Sequence, residues 1–249
     1  MIKYMTLNLR HHLDRWEERF PLVVDAIHEE QPDVIAFQEV HIPIQQAEII
    51  AEQLQARTPS KPYSIKTTSR SYQGYIEANA FLSRLPIVAH DKLDLPMEGG
   101  RSAQRITVQT DSNRRLNFAN THLHHRPMLE EDNRLPQMQA LLKWMFAFDD
   151  KNWLLAGDMN ALPASKTIAE AQKQLKSAYY DIHDKHPVTF PTPLTQGKYG
   201  DIAITLDYIF YHAPSLNVIS AKRFADVGAD ETLYPSDHYG LVAEFDFTD

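Results

Sequence analysis

Two hydrophobic periods follow one another in this chain, and their order leaves few folds open. Ile2–Asn8 is apolar and β-like. Trp16, Phe20, Val23 and Ile27 are then spaced by four, three and four residues, a helix stripe ending before Gln31-Pro32. Val34–Gln38 reads as a short buried strand, and Ile44, Ala47, Ile50/Ala51 and Leu54 mark a second helix. After this β-α-β-α opening the period drops to two. Tyr63–Lys66, Ala78–Ser83, Ile87–Leu93, Ile106–Thr110 and Leu116–Thr121 are successive short strands, with Asp111-Ser112-Asn113 as a hairpin turn.

The helical period returns at Leu135, Met138, Leu141/Leu142, Met145 and Phe148. A buried strand at Trp153–Ala156 ends at Gly157, and a helix over Ser165–Gln174 has Ser165 as its N-cap. Leu206–Tyr211, Leu216–Ala221 and Tyr239–Phe247 close the chain as strands. Asp181–Ile204, with Pro187, Pro191 and Pro193, is the longest segment without periodicity, and long ordered loops in compact domains tend to carry function. Many strands, with helices in both halves, predict two packed sheets, each covered outside by helices.

The 249 residues are 43% hydrophobic and 23% charged, ordinary for a globular protein, and we read one domain over residues 1–249. No apolar run approaches the roughly 18–20 residues that span a bilayer. No signal-peptide pattern opens the chain, and cysteine is absent, which excludes disulfides and thiolate metal sites. Both fit a cytoplasmic protein, although a secreted form with its leader removed would look the same. The net charge of −8, without any cluster of four or more Lys/Arg, lowers the odds of a nonspecific nuclease. A monomer is the expected state.

Six polar islands stand at the ends of the apolar strands: Asn8, Glu39, His122, Asp158-Met159-Asn160, Asp207 and Ser236-Asp237-His238. Strand ends are where α/β folds gather chemistry. Glu39 follows the all-apolar Val34–Phe37. A carboxylate there is costly unless paired or bound to a cation; the alternative is a solvated strand-end acid. Asp158 could orient or accept a proton from water and Asn160 could donate to a phosphoryl oxygen; the alternative is an Asx turn capping a helix. Asp237 and His238, being adjacent, should do different jobs: Asp237 suits metal binding and His238 proton transfer. Asp207 could hold the His238 ring in one tautomer. His122 and His124 share a face, but without a third ligand at matching spacing His122 is better read as a donor to phosphate oxygen. His11, His12 and His41 are assigned to the surface.

In this order the islands resemble the endonuclease/exonuclease/phosphatase superfamily, whose members share the deoxyribonuclease I–like fold. The matching stretches are Thr6-Leu7-Asn8, Gln38-Glu39-Val40, Asn79–Ile87, Thr121-His122-Leu123, Gly157-Asp158-Met159-Asn160, Leu206–Phe210 and Ser236-Asp237-His238. The resemblance implies an α+β fold, a four-layer α-β-β-α sandwich of two mostly antiparallel sheets. It implies Glu39 as principal Mg²⁺ ligand (Mn²⁺ as the alternative ion), with Asn8 beside it and Asp237 as an indirect metal-site acid. It implies Asp158, Asn160, His122, Asp207 and His238 as catalytic residues, and Asn8 and Asn79 as substrate contacts; Arg10 is a further candidate substrate contact by its own chemistry.

Arg10 departs from the abasic-site endonucleases, which carry an acid at that position. A cation there cannot bind Mg²⁺ but could clamp a second phosphate. The expected activity is Mg²⁺-dependent attack of water on a small or lipid-derived phosphodiester or phosphomonoester. A nuclease acting on DNA or RNA is the rival, and a non-catalytic module on the same fold is the remaining alternative.

Overall fold

Alternation along the strands decides the layers. In β1 (Ile2–Asn8) Tyr4 packs one way and Met5 and Leu7 the other; in β2 (Val34–His41) Val34 and Ala36 oppose Ile35 and Phe37. A strand whose two faces are both apolar must be covered on both sides. A computed structural model of the protein describes residues 1–248 apart from 60–61, 73–74, 98, 111–113, 126–130, 150 and 196. The expected hairpin turn at Asp111-Ser112-Asn113 lies outside the described residues.

Two six-stranded sheets result. Besides β1 and β2, the first holds β3 (Ser64–Tyr72), β4 (Tyr75–Ser83), β11 (Leu216–Phe224) and β12 (Gly240–Phe247), in the order β11-β12-β1-β2-β4-β3. The second holds β5 (Ile87–Asp94), β6 (Ser102–Gln109), β7 (Arg115–His122), β8 (Trp153–Asp158), β9 (Lys176–Ser177) and β10 (Asp207–Tyr211), in the order β5-β6-β7-β8-β10-β9. Each sheet has a single parallel pair at its centre, β1/β2 and β7/β8; the other pairings are antiparallel. The helices α1 (Trp16–Glu30) and α3 (Arg134–Phe148) make those two crossovers.

Helices α1 and α2 (Gln46–Arg57) cover the outer face of the first sheet, through Val23, Ile27, Ile50 and Leu54 against Met5, Leu7 and Phe37. Helices α3 and α4 (Lys166–Gln172) cover the second, through Met138, Leu141 and Ile168 against Trp153, Leu155 and Phe210. Between the sheets lie Tyr4, Val34, Phe81, Ile106, Phe118, Leu154, Ile209 and Phe245. This is the four-layer sandwich expected from the pattern.

Ser165 caps α4 as predicted, its hydroxyl accepting from Ile168 N at 3.2 Å. Among the strands and α-helices of the described residues, two short elements escaped the sequence reading: β9, and α5 (Ala178–His183). Neither is long enough to show a period.

One polar network crosses the apolar interior. Gln38 Nε2 donates to Asn120 Oδ1 at 2.8 Å, and Asn120 Nδ2 donates to the carbonyls of Phe37 (2.9 Å) and Ala80 (3.1 Å). Thr6 Oγ1 meets Gln38 at 3.3 Å, and the Tyr4 hydroxyl donates to Ala119 O at 3.0 Å. All are buried. The network therefore ties β1, β2 and β4 to β7 with its polar groups satisfied.

Candidate active site

The carboxyl ends of both parallel pairs point to the same end of the sandwich. In register, Asn8 faces Gln38 across β1/β2, and His122 faces Asp158 across β7/β8. Asp207, the first residue of β10, pairs with Asp158. Glu39 sits in an irregularity of the β2/β4 pairing, between Phe37 and Val40, with φ of 52°. A bulge with a left-handed residue re-aims the side chain that alternation would have sent elsewhere. Gly157 adopts φ of +147°, and a Cβ there would lie 1.9 Å from Thr121 O, so this close approach of β7 and β8 requires glycine.

Asn8, fully buried, joins the two halves of the site. Its Nδ2 reaches Glu39 Oε1 at 3.3 Å and Asp158 Oδ2 at 3.2 Å, while its Oδ1 accepts from Arg10 N at 2.9 Å. Asp158 Oδ1 accepts from Asn160 N at 2.9 Å. His122 Nε2 lies 3.4 Å from Asp158 Oδ2 and 4.0 Å from Glu39 Oε1. His238 Nδ1 lies 2.8 Å from Asp207 Oδ2, and its Nε2 is 3.9 Å from Asp158 Oδ2. Ser236 holds this last loop to β1, donating to Asn8 O at 2.6 Å. Phe190, from the long irregular segment, packs its ring 4.8 Å from that of His238.

The other sequence-predicted residues take more varied places. Asn160 Nδ2 donates to Leu123 O at 3.1 Å, which uses one of its two amide hydrogens. Asp237 is engaged at both oxygens, by Arg10 Nη1 at 3.2 Å and by the Ser236 hydroxyl at 3.4 Å. Arg10 also binds Asp14 Oδ2 through Nε at 2.8 Å. Asn79 Nδ2 donates across the sheets to Ser102 O at 2.9 Å. Among the described residues no hydrogen bond ties Asn79 to the Asn8–Asp158 cluster.

Arg101 is the site residue that sequence reasoning missed. It is buried, and Nη1 donates to His122 Nδ1 at 2.8 Å and lies 3.3 Å from Glu77 Oε1. Arginine can only donate, so His122 Nδ1 must accept, which leaves the proton on Nε2, the nitrogen facing Asp158. Arg19 was missed as well. It is buried, and it donates to the carbonyls of Leu9, Leu13, Asp14 and Pro235, fixing the loop after β1 against the one before Ser236.

Burial raises the pKa of Asp158; His238 opposes the rise, and the charges of Asp207 and Glu39 add to it. Burial likewise raises Asp237, with Glu39 adding while His238, Arg10 and Arg19 oppose. For His238, burial favours the neutral ring, but Asp207, Asp158 and Asp237 overcome it and hold the proton well above the usual imidazole range. Burial lowers Arg101, against the pull of Glu39 and Asp158.

The donor set suits a hard divalent cation. Among the described residues, Glu39 Oε1 is met at hydrogen-bond distance only by the Asn8 amide, at 3.3 Å, so its negative charge is weakly answered, whereas Asp158 also meets Asn160 N, His122 and His238. Glu39 is also the most open of the set, 22% exposed against 2% for Asp158.

The Endonuclease/Exonuclease/phosphatase family model matches residues 5–238, and the chain belongs to this family, whose members hydrolyse phosphoester bonds and generally depend on a divalent metal. Among curated relatives, Nocturnin of Xenopus laevis is 29% identical over an alignment of 258 positions that covers 94% of this chain and 66% of the relative, so the chain spans just under two thirds of that protein. The human Nocturnin catalytic domain with bound sulfate superposes with a TM-score of 0.80 at 24% identity, covering 99% of this chain and 94% of that one. ANGEL2, a 2',3'-cyclic phosphatase, superposes with a TM-score of 0.77 at 18% identity, covering 98% and 94%. These two structures establish the shared fold.

Proposed function

We propose that this family member is a Mg²⁺-dependent hydrolase that attacks a small or lipid-derived phosphodiester or phosphomonoester with water. The observation that supports it is the continuous chain Glu39–Asn8–Asp158–His122, with Asp207–His238 beside it, assembled from separate strands at one end of the sandwich. Glu39 would hold the ion with Asn8, and Asp237 would act on it indirectly through Arg10. A cation bound there would neutralise charge on a phosphoryl oxygen.

The rest of the chemistry falls to side chains. Asp158, whose proton affinity burial raises, orients water and takes its proton. His122 Nε2–H and an amide hydrogen of Asn160 stabilise charge on the transferring phosphoryl group. His238, held protonated by Asp207 and Asp158, does the same as an imidazolium, in preference to acting as base. Arg10, and Asn79 if substrate reaches β4, would contact groups beyond the scissile phosphate.

A small substrate is favoured over polymeric nucleic acid because Asp158, Asp207 and Asp237 are buried and the net charge is −8. The test is turnover of bis-(p-nitrophenyl) phosphate, p-nitrophenyl phosphate, a 2',3'-cyclic nucleotide, single-stranded RNA and supercoiled plasmid, each with Mg²⁺, Mn²⁺ or EDTA. Metal-dependent release from the small esters supports the proposal. Efficient nicking of plasmid or cutting of RNA, with idle small esters, would make it a nuclease. No turnover under any condition would leave a binding module.

A further inference from the structure

Three histidines that no periodicity associates meet beside the Glu39 end of the site. We propose that His11, His12 and His41 form a second cation site, selective for a borderline transition metal such as Zn²⁺ rather than for Mg²⁺. One ring nitrogen from each lies within 4.8 Å of the others. His11 Nδ1 and His12 Nδ1 are 3.0 Å apart. Two imidazole nitrogens on one tetrahedral zinc stand about 3.3 Å apart, from Zn–N bonds of roughly 2.0–2.1 Å. That pair is thus already near ligand spacing. The His41 ring lies 4.2 Å from that of His11 and 3.9 Å from that of His12, and its Nδ1 is buried without a hydrogen-bond partner among the described residues.

The backbone holds the three in place before any ion arrives. One side chain, the buried Gln46, clamps two of the segments: Nε2 donates to His11 O at 2.8 Å, and Oε1 accepts from His41 N at 2.9 Å. His11 N donates to Glu39 O at 3.0 Å, tying the loop after β1 to β2. Arg10 and His11 both take left-handed φ, 58° and 54°, a strained path that brings His11 inward to near-complete burial. Ordering is a main cost of binding, and here most of it is met by the fold. His12 is exposed. It can turn from its stack on His41 to close the set, and it leaves a fourth position open to water. Three imidazoles suit Zn²⁺, Co²⁺, Ni²⁺ or Cu²⁺, whereas Mg²⁺ requires oxygen, so this site and the Glu39 site would divide the ions between them.

The full chain, stripped with EDTA and held in saturating Mg²⁺, is titrated with Co²⁺ and followed by visible absorption. One equivalent should give tetrahedral ligand-field bands, and one equivalent of Zn²⁺ should abolish them. Loss of an outer partner already costs about 10–100-fold in metal affinity, so His12→Ala and His41→Ala should each weaken binding at least that far. His12→Ala changes an exposed side chain and should keep the wild-type melting temperature, which separates ligand loss from misfolding. Glu39→Gln and His238→Ala should keep the bands. Absence of bands in the wild-type chain overturns the proposal. So does binding that survives His12→Ala, or that disappears only in Glu39→Gln or His238→Ala; those variants also separate it from the function proposed above.

Discussion

The two sheets have the same plan and put it to different uses. Each has a parallel pair at its centre joined by a crossover helix, and each sends the carboxyl ends of that pair to the active site. The β1/β2 end is irregular: Glu39 lies in a bulge, left-handed residues follow Asn8, and arginine is close by. The β7/β8 end is regular and closed: His122 and Asp158 are in direct register, with Asp207 paired across Asp158. In the proposed function an ion would enter, exchange water and meet substrate, so Glu39 as its ligand would need access. Proton chemistry needs shifted pKa values, and those need burial. The same topology provides both because, at the end that carries these residues, the β2/β4 pairing is interrupted at Glu39 while the pairings of β8 with β7 and β10 run unbroken.

The strongest test of the closed half removes its imidazole. His238→Ala should lower kcat by about 10²–10⁴-fold, the usual contribution of a positioned acid–base or charge-stabilising group. Asp207→Asn should cost as much or less, and the double variant should lose no more than His238→Ala alone, because the two act as a unit. Additive losses, read from steady-state kinetics, would show that the pair does not work together.

In the open half, Glu39→Gln should keep the fold and lower kcat/KM by about 10²-fold or more, since a bound cation contributes several kcal/mol to a phosphoryl transition state. The difference between the halves then appears in metal dependence. Glu39→Gln should shift the Mg²⁺ activation curve to higher concentration, and His238→Ala should leave its midpoint in place. Equal shifts would dissolve the division.

A pH series separates the halves with a smaller effect. Asp158 and His238 both bind protons more tightly in the folded protein. The stability they contribute is complete below their unfolded pKa values and is lost as pH rises through the folded ones. In EDTA the melting temperature should therefore fall as pH rises from the ordinary carboxylate range through neutrality, and Asp158→Asn should flatten the fall. Activity should fall on the alkaline side as His238 deprotonates. Activity that rises through an ordinary imidazole pKa and then stays level would assign His238 as a neutral base.

The smallest effect is expected at Arg10. Arg10→Ala should raise KM a few-fold for substrates with a second anionic group and change kcat little. An equal loss on every substrate would instead point to its hold on Asp237.

The sequence made one of these halves easier to read than the other. Asp158, Asp207 and His238 each adjoin an apolar strand in register with its neighbour, so a pattern of period two points to them. Glu39 could be located, but its aim could not, because a bulge is a matter of pairing between β2 and β4 rather than of composition. Arg101 and His122 are 21 residues apart and meet only through the pairing of Ala103 with Thr121 in β6/β7. Arg19 did leave a signal: it lies three residues after Trp16 and four before Val23, a charge on the apolar face of α1. The three histidines meet only through the β1/β2 pairing and two left-handed residues, neither of which periodicity reveals.

Because the site is divided between two sheets, its geometry depends on how far one sheet has slid over the other. Apolar faces alone resist sliding poorly, since many offsets bury similar area. The buried Gln38–Asn120 network acts as a dowel. Its hydrogen bonds are met at one offset only, and each buried group left unpaired costs about 1–3 kcal/mol. A misplacement of about 1 Å can cost on the order of 10²-fold in rate. Turnover in this protein is therefore a gauge of interlayer alignment. Substitutions that loosen the dowel should show in kcat before they show in the melting curve.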